Sequence, residues 1–258
     1  MNKKAVLPIL VLLATLATIA YNSLAEALPI NGLTTGEISD RFAIYFVPAG
    51  YVFSIWGLIY IALIAYGIYQ VLPARWDDAR LRRIAPWYLL SCLGNVAWLT
   101  LWHYERITLS ILPILLLLVS LIGVYVGLGV GRRPFTRRET WLARIPFSIY
   151  LGWASVATIA NISTALYDLG WNGWGLSAVT WTVIMLIVGA LLALIALITR
   201  RDAVFSLVFV WAFAGIAVKH SGTPTVLYTG AVLAGLIFVA AVIYLLRGTV
   251  SNASPDGS

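Results

Sequence analysis

Eight apolar runs dominate the chain, and each is about as long as a helix needs to cross a lipid bilayer. They lie at about residues 5–25, 48–72, 84–103, 109–131, 143–167, 176–199, 203–219 and 225–246. A hydrocarbon core about 30 Å thick requires about 20 mostly apolar residues in helical form. Hydrophobic residues make up 61% of the chain and charged residues only 10%. The sequence therefore predicts an all-α polytopic membrane bundle of about eight transmembrane helices.

The basic residues divide unequally between the two sides of such a bundle. Of the 17 Lys and Arg residues, Arg41, Arg106 and Lys219 fall on one side, which leaves fourteen on the other. The positive-inside bias then predicts that both termini are cytoplasmic, in what we expect to be a bacterial inner membrane. Orientation and contact with acidic lipid headgroups explain the net charge of +7, so we expect no nucleic-acid partner.

The first apolar run has two interpretations. Lys3 and Lys4, the apolar core and the small residues near Ala27 also resemble a secretory signal peptide, whose removal would leave seven spans. The run is long for a signal peptide, which favours a retained helix. The single Cys92 excludes an intrachain disulfide and a cysteine metal cluster, and we expect no metal site.

Polar and aromatic residues recur three and four positions apart in three of the runs, so each set lines one face of a helix. The sets are Phe53, Trp56 and Tyr60 in the second run, Ser91, Asn95, Trp98 and Trp102 in the third, and Tyr150, Trp153, Ala157, Asn161, Thr164 and Asp168 in the fifth. Such a face either packs on neighbouring helices or lines a ligand pocket.

Asn95 lies near the middle of its run, where an unpaired amide costs about 2 kcal/mol or more. It must therefore bond to another helix or to a ligand, and the sequence leaves both open. Asn161 and Asp168 lie nearer the outer end of their run, within reach of water, and Asp168 is expected at the interface.

The tryptophans separate by depth. We expect Trp residues near the two interfaces to form aromatic belts: Trp76, Trp87, Trp141, Trp102, Trp171, Trp174 and Trp181. Deeper tryptophans are candidates for a pocket wall: Trp56, Trp98, Trp153 and Trp211.

Over roughly residues 1–167 the chain resembles the TspO/MBR family of translocator and tryptophan-rich sensory proteins. The matching residues of the second run are Pro48, Tyr51, Val52, Phe53, Trp56 and Tyr60. The third run supplies Asn95 and Trp98, and the fifth supplies Pro146, Phe147, Tyr150, Trp153 and Ala154.

The chain also departs from the family pattern. The interval from Phe53 to Trp56 is one residue shorter than usual, which rotates Trp56 by about 100° relative to the preceding turn. Thr158 stands where the family has an asparagine, and Asn161 follows one turn later. Most members stop after five helices. We therefore divide the chain into a five-helix bundle (1–170), three added helices of unknown role (171–247) and a disordered cytoplasmic tail (248–258).

The resemblance implies an integral membrane binding protein or sensor for porphyrin-like or other flat hydrophobic ligands. The loop from Glu26 to Val47 would act as a lid over the pocket. No cofactor is required, and a porphyrin or haem-related molecule would be the ligand. Expected partners are this hydrophobic small molecule, membrane lipids and a second copy in a homodimer. The expected ligand-binding residues are Phe53, Trp56, Tyr60, Asn95, Trp98, Tyr150, Trp153 and Asn161.

Lys219 and His220 on the outer side have two interpretations. They either reach the outer headgroups or bind a ligand carboxylate at the pocket mouth, and Arg41 and Arg106 are rival candidates for the second role.

Other functions stay open. Eight helices suit a secondary transporter of a small hydrophobic molecule, although no inverted repeat is evident. An enzyme acting on a tetrapyrrole or lipid would need clustered acids or histidines at one depth, which the chain lacks. A retinal-type photoreceptor would need a buried lysine in the last helix, whereas Lys219 ends the penultimate run.

Overall fold

The computed structural model describes residues 3–251, with side chains as far as Leu246. Its helices are α1 (Lys3–Ala27), α2 (Thr35–Asp40), α3 (Ile55–Val71), α4 (Ala79–His103), α5 (Ile107–Leu128), α6 (Arg137–Glu139), α7 (Ile145–Asp168), α8 (Ala178–Arg200), α9 (Ala203–Lys219) and α10 (Pro224–Ser251). Seven helical spans are long and apolar enough to cross a membrane, and α9 is a shorter apolar helix. This confirms a polytopic helical membrane protein.

The helix boundaries follow the apolar runs closely. Each of the eight runs corresponds to one long helix, and the short seventh run coincides with α9. At the end of the chain, α10 continues to Ser251, into the segment expected to be a tail, and residues 252–258 lie outside the described part.

Local capping explains where several helices begin and end. Asp78 and Ser177 accept hydrogen bonds from backbone N–H groups at the starts of α4 and α8, which satisfies donors that a helix start leaves free. Thr34 and Glu37 form a capping box at the start of α2. Gly129 ends α5 with a φ of 75° that glycine adopts without strain.

The ends of the bundle carry different chemistry. At one end, which we call the basic face, Lys4 pairs with Asp77 at 2.8 Å and Arg80 pairs with Glu139. Partial burial on its own would raise the pKa of Glu139, but the Thr136 N–H and the Arg80 guanidinium outweigh it and lower that pKa below its ordinary value. The opposite end is covered by residues 28–47, which include α2 and which we call the lid.

Helix α9 is the most enclosed element of the last three spans. Ten of its 17 residues are buried, and it packs against α7, α8 and α10. At 1.5 Å per residue its length is about 25 Å, less than a hydrocarbon core of about 30 Å. Neighbouring helices surround it, so a short helix exposes little unsatisfied backbone to lipid.

Helix α9 also supports the segment that leads into α3. The Ala49 N–H donates to the Gly215 carbonyl at 3.1 Å, and Trp211 Nε1 donates to the Val52 carbonyl at 3.0 Å. A Cβ on Gly215 would lie 2.2 Å from the Val52 side chain, so the close approach depends on glycine.

Asp202 joins α9 to two other helices. Its carboxylate is fully buried and accepts hydrogen bonds from the Tyr125 hydroxyl at 2.8 Å and from Ser148 Oγ at 2.5 Å. It also accepts the Phe205 N–H at 3.3 Å, which caps α9. One side chain therefore connects α5, α7 and α9.

We expect the Asp202→Ala substitution to lower the free energy of unfolding by about 3 kcal/mol. The change leaves the buried Tyr125 and Ser148 hydroxyls without their acceptor, and each such loss costs about 1–3 kcal/mol. Denaturation in SDS, followed by reaction of the buried Cys92 with a thiol-specific dye, measures the effect.

Asp168→Ala is the matched control, because Asp168 is exposed at the end of α7. Equal destabilisation by both substitutions would contradict the role assigned to Asp202.

Candidate functional site

Trp56 is the centre of an aromatic cluster between α3, α4 and α7. Its indole stacks on Tyr60 and on Trp98, with ring centroids 5.6 and 6.4 Å apart. It meets Tyr150 and Trp153 edge to face at 6.0 and 6.2 Å. The structure therefore brings together aromatic residues of three separate helices that the sequence analysis predicted to line a pocket.

A tight turn before α3 keeps Phe53 in the same cluster. Residues Gly50–Ser54 form a 3-10 helix, in which positions three apart lie on the same side. Phe53 reaches Trp153 with centroids 5.8 Å apart, as Trp56 also does. The shortened interval therefore does not turn Trp56 away from Phe53.

Beside this cluster lies a cavity of about 340 Å³ between α1, the lid, α3 and α4. Phe53, Trp56, Tyr60 and Trp98 form its aromatic side. On its other side lie polar or small residues of α1 and the lid: Asn22, Ser23, Glu26, Thr35 and Gly36. The cavity is thus apolar on one wall and polar on the other, as small-molecule sites commonly are.

The cavity is open between α1 and α3. Ser23 and Glu26 on α1 and Gly57 on α3 line it and are exposed. A Cβ on Gly57 would meet no other atom within 4 Å. The cavity therefore has a side opening near the lid end of the bundle.

A smaller cavity of about 40 Å³ lies behind the first, toward α7. Thr35, Phe53, Trp56 and Trp98 line both spaces, and Trp153 lines the smaller one. Among the described residues, the buried Nε1 atoms of Trp98 and Trp153 have no hydrogen-bond partner. Two indole donors are therefore free beside the aromatic wall, where a buried unpaired donor costs about 1–3 kcal/mol.

Asn95 lies behind the cavity wall and bonds to two other helices. Its Oδ1 accepts from Asn22 Nδ2 at 2.7 Å, and its Nδ2 donates to the Tyr150 hydroxyl at 3.1 Å. Asn95 and Tyr150 do not line either cavity. The sequence left open whether Asn95 bonds to another helix or to a ligand, and in the structure it bonds to other helices. Asn95 therefore joins α1, α4 and α7 and holds the cavity wall in place.

Sequence reasoning missed Asn22, which is buried and lines the cavity. A signal for it was present, because Thr15, Thr18 and Asn22 recur at spacings of three and four in the first run. All three are buried, and Thr15 bonds to the Tyr88 hydroxyl at 2.8 Å. A polar stripe of this kind is unnecessary in a cleaved signal peptide and is typical of a helix that packs in a bundle.

The lid is fastened to the end of α4. The Ile30 carbonyl accepts a hydrogen bond from His103 Nδ1 at 3.1 Å, and His103 Nε2 bonds to Thr35 Oγ1 at 3.2 Å. Trp102 Nε1 donates to the Thr35 carbonyl at 3.2 Å. Trp102 is therefore buried under the lid, and its expected place in the outer belt is wrong.

The outer cations pair with the protein. Lys219 pairs with Asp40 of the lid, Arg41 with Glu105 at 2.6 Å, and His220 Nε2 with the Val47 carbonyl at 3.2 Å. Burial lowers the pKa of His220 below its ordinary value and Lys219 lowers it further, whereas the hydrogen bond to the Val47 carbonyl acts in the opposite direction. None of the three cations lines either cavity.

Asn161 and Trp211 differ from what the sequence predicted: Asn161 was expected within reach of water, and Trp211 in a pocket wall. Asn161 lines the smaller cavity, but it is buried and its Nδ2 donates to Ser110 Oγ of α5 at 2.8 Å, so water does not reach it. Trp211 is 39% exposed on α9 and lines neither cavity. Its role is to hold the segment before α3.

A family model described as "TSPO-like protein" matches residues 8–243. The chain belongs to the TSPO-like family. The match includes α8, α9 and most of α10, beyond residue 167 where the motif resemblance ends. No curated protein and no solved structure matches the chain. Membership in the TSPO-like family indicates a membrane protein that binds or senses a ligand.

We expect Asn22 and Asn95 to stabilise the TSPO-like bundle jointly. Replacement of either by Leu should lower the free energy of unfolding by about 1–2 kcal/mol. Asn22→Leu leaves the Asn95 Oδ1 atom without its donor, and Asn95→Leu removes the partner of the Tyr150 hydroxyl and one acceptor of Asn22. The double substitution should lower the free energy of unfolding by less than the sum of the two single losses, and the difference should be about 0.6 kcal/mol or more. SDS denaturation of the four proteins measures this coupling.

Strictly additive losses would contradict a direct bond between the two amides. The exposed Ser23→Leu substitution controls for the effect of a new apolar side chain on α1.

Proposed function

We propose that this protein binds a flat, conjugated, hydrophobic molecule between α1, α3 and α4 and acts as a ligand-binding protein or sensor. Porphyrins and haem-related molecules are one class of such ligands. The observation that carries the proposal is a pair of buried indole N–H groups, those of Trp98 and Trp153, which have no partner among the described residues and lie beside a stacked aromatic wall.

The aromatic wall supports a flat ligand. Trp56, Tyr60 and Trp98 present nearly parallel rings, with interplanar angles of 27° and 28°. Offset stacking on such rings contributes about 0.5–1.5 kcal/mol for each pair beyond the burial of apolar area. A planar ring system that slides along this wall gains contact with several side chains at once.

The cavity volume bears on ligand size. Small-molecule sites usually enclose about 300–1,000 Å³, and about 340 Å³ is near the lower limit. A ligand of two or three fused rings fits under the closed lid. A tetrapyrrole requires the lid to move away from α4.

The free donors bear on ligand chemistry. An indole N–H donates only, so a ligand that satisfies Trp98 or Trp153 must carry an oxygen or nitrogen acceptor. A carbonyl, carboxylate or ring nitrogen on an otherwise apolar molecule meets this need. The ligand class is therefore flat, apolar and equipped with at least one acceptor.

We expect saturable binding of 9-fluorenone and weaker binding of fluorene, which has the same ring system without the carbonyl. One hydrogen bond from an indole contributes about 0.5–1.5 kcal/mol, or about a twofold to twelvefold difference in Kd. Quenching of tryptophan fluorescence in detergent-solubilised protein measures both affinities. The Trp98→Phe and Trp153→Phe variants identify the donor, because the preference for fluorenone should disappear in at least one of them.

Trp141→Phe is the control, since Trp141 is exposed on the basic face. Protoporphyrin IX, tested in parallel, should also bind saturably, and we expect slower association because the lid must move. Absence of saturable binding by all three compounds would overturn the proposal and favour a transport or structural role.

We expect Gly57→Phe to slow ligand association at least severalfold, because the new ring occupies the opening between α1 and α3. Gly50→Phe is the matched control: a Cβ at Gly50 also meets no atom within 4 Å, but Gly50 does not line the cavity. Stopped-flow quenching by 9-fluorenone measures the rate. Equal rates in both variants would place ligand access elsewhere.

A further inference from the structure

A third cavity, of about 460 Å³, lies on the basic face at the opposite end of the bundle from the lid. Its lining includes five arginines and one tyrosine: Arg132, Arg133, Arg144, Arg200, Arg201 and Tyr244. These residues come from the loop after α5, the turn before α7, the junction of α8 and α9, and α10. The positive-inside bias explains basic residues on one side of a membrane, but not their convergence on one space.

Close backbone contacts create this convergence. Gly131 has a φ of 74°, and a Cβ at this position would lie 2.1 Å from the Arg200 carbonyl oxygen. The loop after α5 can therefore reach the end of α8 only with glycine here. Arg144 donates to the Arg201 carbonyl at 2.7 Å, which connects the turn before α7 to the same junction.

The junction itself holds a strained residue. Arg201 has a φ of 53°, in the left-handed region that a residue with a side chain rarely adopts. Glycine or asparagine is the usual choice for such a position at a helix end. An arginine here destabilises the backbone relative to glycine and adds a guanidinium to the cavity. Strained backbone positions of this kind are common at binding sites.

Few acids offset the arginines. Glu139 lies 3.6 Å from Arg133, and Asp202 is fully buried and bonds to Tyr125 and Ser148. Within the described part of the chain, Arg132, Arg144, Arg200 and Arg201 form no ion pair. Arg144 Nε is buried and has no hydrogen-bond partner there. Mutual repulsion and an unpaired donor both favour an anion in the cavity.

The position of the cavity indicates the kind of anion. Ile198 and Leu245, which flank cavity residues along α8 and α10, are exposed and apolar. We infer from this boundary between apolar and basic surface that the cavity lies near the level of the lipid phosphates. Basic pockets between transmembrane helices bind headgroups with several phosphate charges. The volume also exceeds what one phosphate group needs.

We propose that this cavity is a binding site for an anion with two phosphate groups, supplied either by an acidic phospholipid such as cardiolipin or by a soluble diphosphate. Arginine suits this ligand, because its planar fork donates two hydrogen bonds to phosphate oxygens. The inference is independent of the ligand proposed under the lid, since no residue lines both spaces.

The test measures the affinity of the purified full-length protein for cardiolipin, for pyrophosphate and for phosphatidylcholine in about 0.3 M salt, which screens attraction between distant exposed charges. Native mass spectrometry counts bound lipid, and calorimetry measures pyrophosphate. We expect one saturable cardiolipin or pyrophosphate site and no saturable phosphatidylcholine site. Cardiolipin binding alone identifies a lipid site, and comparable pyrophosphate binding identifies a soluble anion. Binding of neither overturns the proposal.

The deciding variant is Arg132→Gln combined with Arg201→Gly. Arg201→Gly relieves the left-handed strain and keeps the carbonyl that Arg144 bonds, so this protein should unfold at the same or a higher temperature than wild type without anion. Its affinity for the anion should fall at least tenfold, since each charged hydrogen bond contributes about that factor. Arg82→Gln combined with Arg83→Gln removes two exposed charges of the same face that do not line the cavity, and should change affinity less than about threefold. Equal losses of anion affinity in the two double variants would show that the anion is attracted by the basic face as a whole, and would overturn the proposed site.

Discussion

The contact between Gly215 of α9 and the segment before α3 positions much of the pocket wall. Because Gly215 has no side chain, Val52 and Pro48 approach α9 closely, and the Ala49 N–H bonds to the Gly215 carbonyl. The 3-10 turn that follows directs Phe53 and Trp56 toward Trp153. The last three helices thus support the aromatic cluster, although none of their residues lines either cavity beside it.

Several of the buried polar groups find their hydrogen-bond partners on other helices, as a membrane environment requires. Asn22, Asn95 and Tyr150 satisfy one another across three helices, and Asp202 does the same for Tyr125 and Ser148. Trp98 and Trp153 differ: both rings contact Trp56, and their N–H groups lack a partner within the described residues. The hydrogen-bonded groups hold helices together, and the two indole donors support the proposal of a ligand beside the cluster.

The spans, the short α9 and the shared face of Phe53, Trp56 and Tyr60 could all be predicted from the sequence, because length, hydropathy and helical spacing are local properties. The partner of Asn95 could not, since Asn22 lies 73 residues away along the chain. Trp102 was misplaced for a similar reason: its depth depends on Thr35 of the lid. The arginine cavity depends on the approach of Gly131 to Arg200, and no pattern in either segment alone reveals it.

The lid is held by two sets of contacts that belong to different parts of the bundle. His103 and Trp102 of α4 hold Ile30 and Thr35, whereas Lys219 and His220 at the end of α9 hold Asp40 and Val47. Release from α4 alone would leave the lid attached at its far end, so it would swing as a hinged flap. Only a ligand whose binding also breaks the contacts with α9 is coupled to α9, and a change in the free energy of those contacts then alters the affinity for that ligand by the corresponding factor.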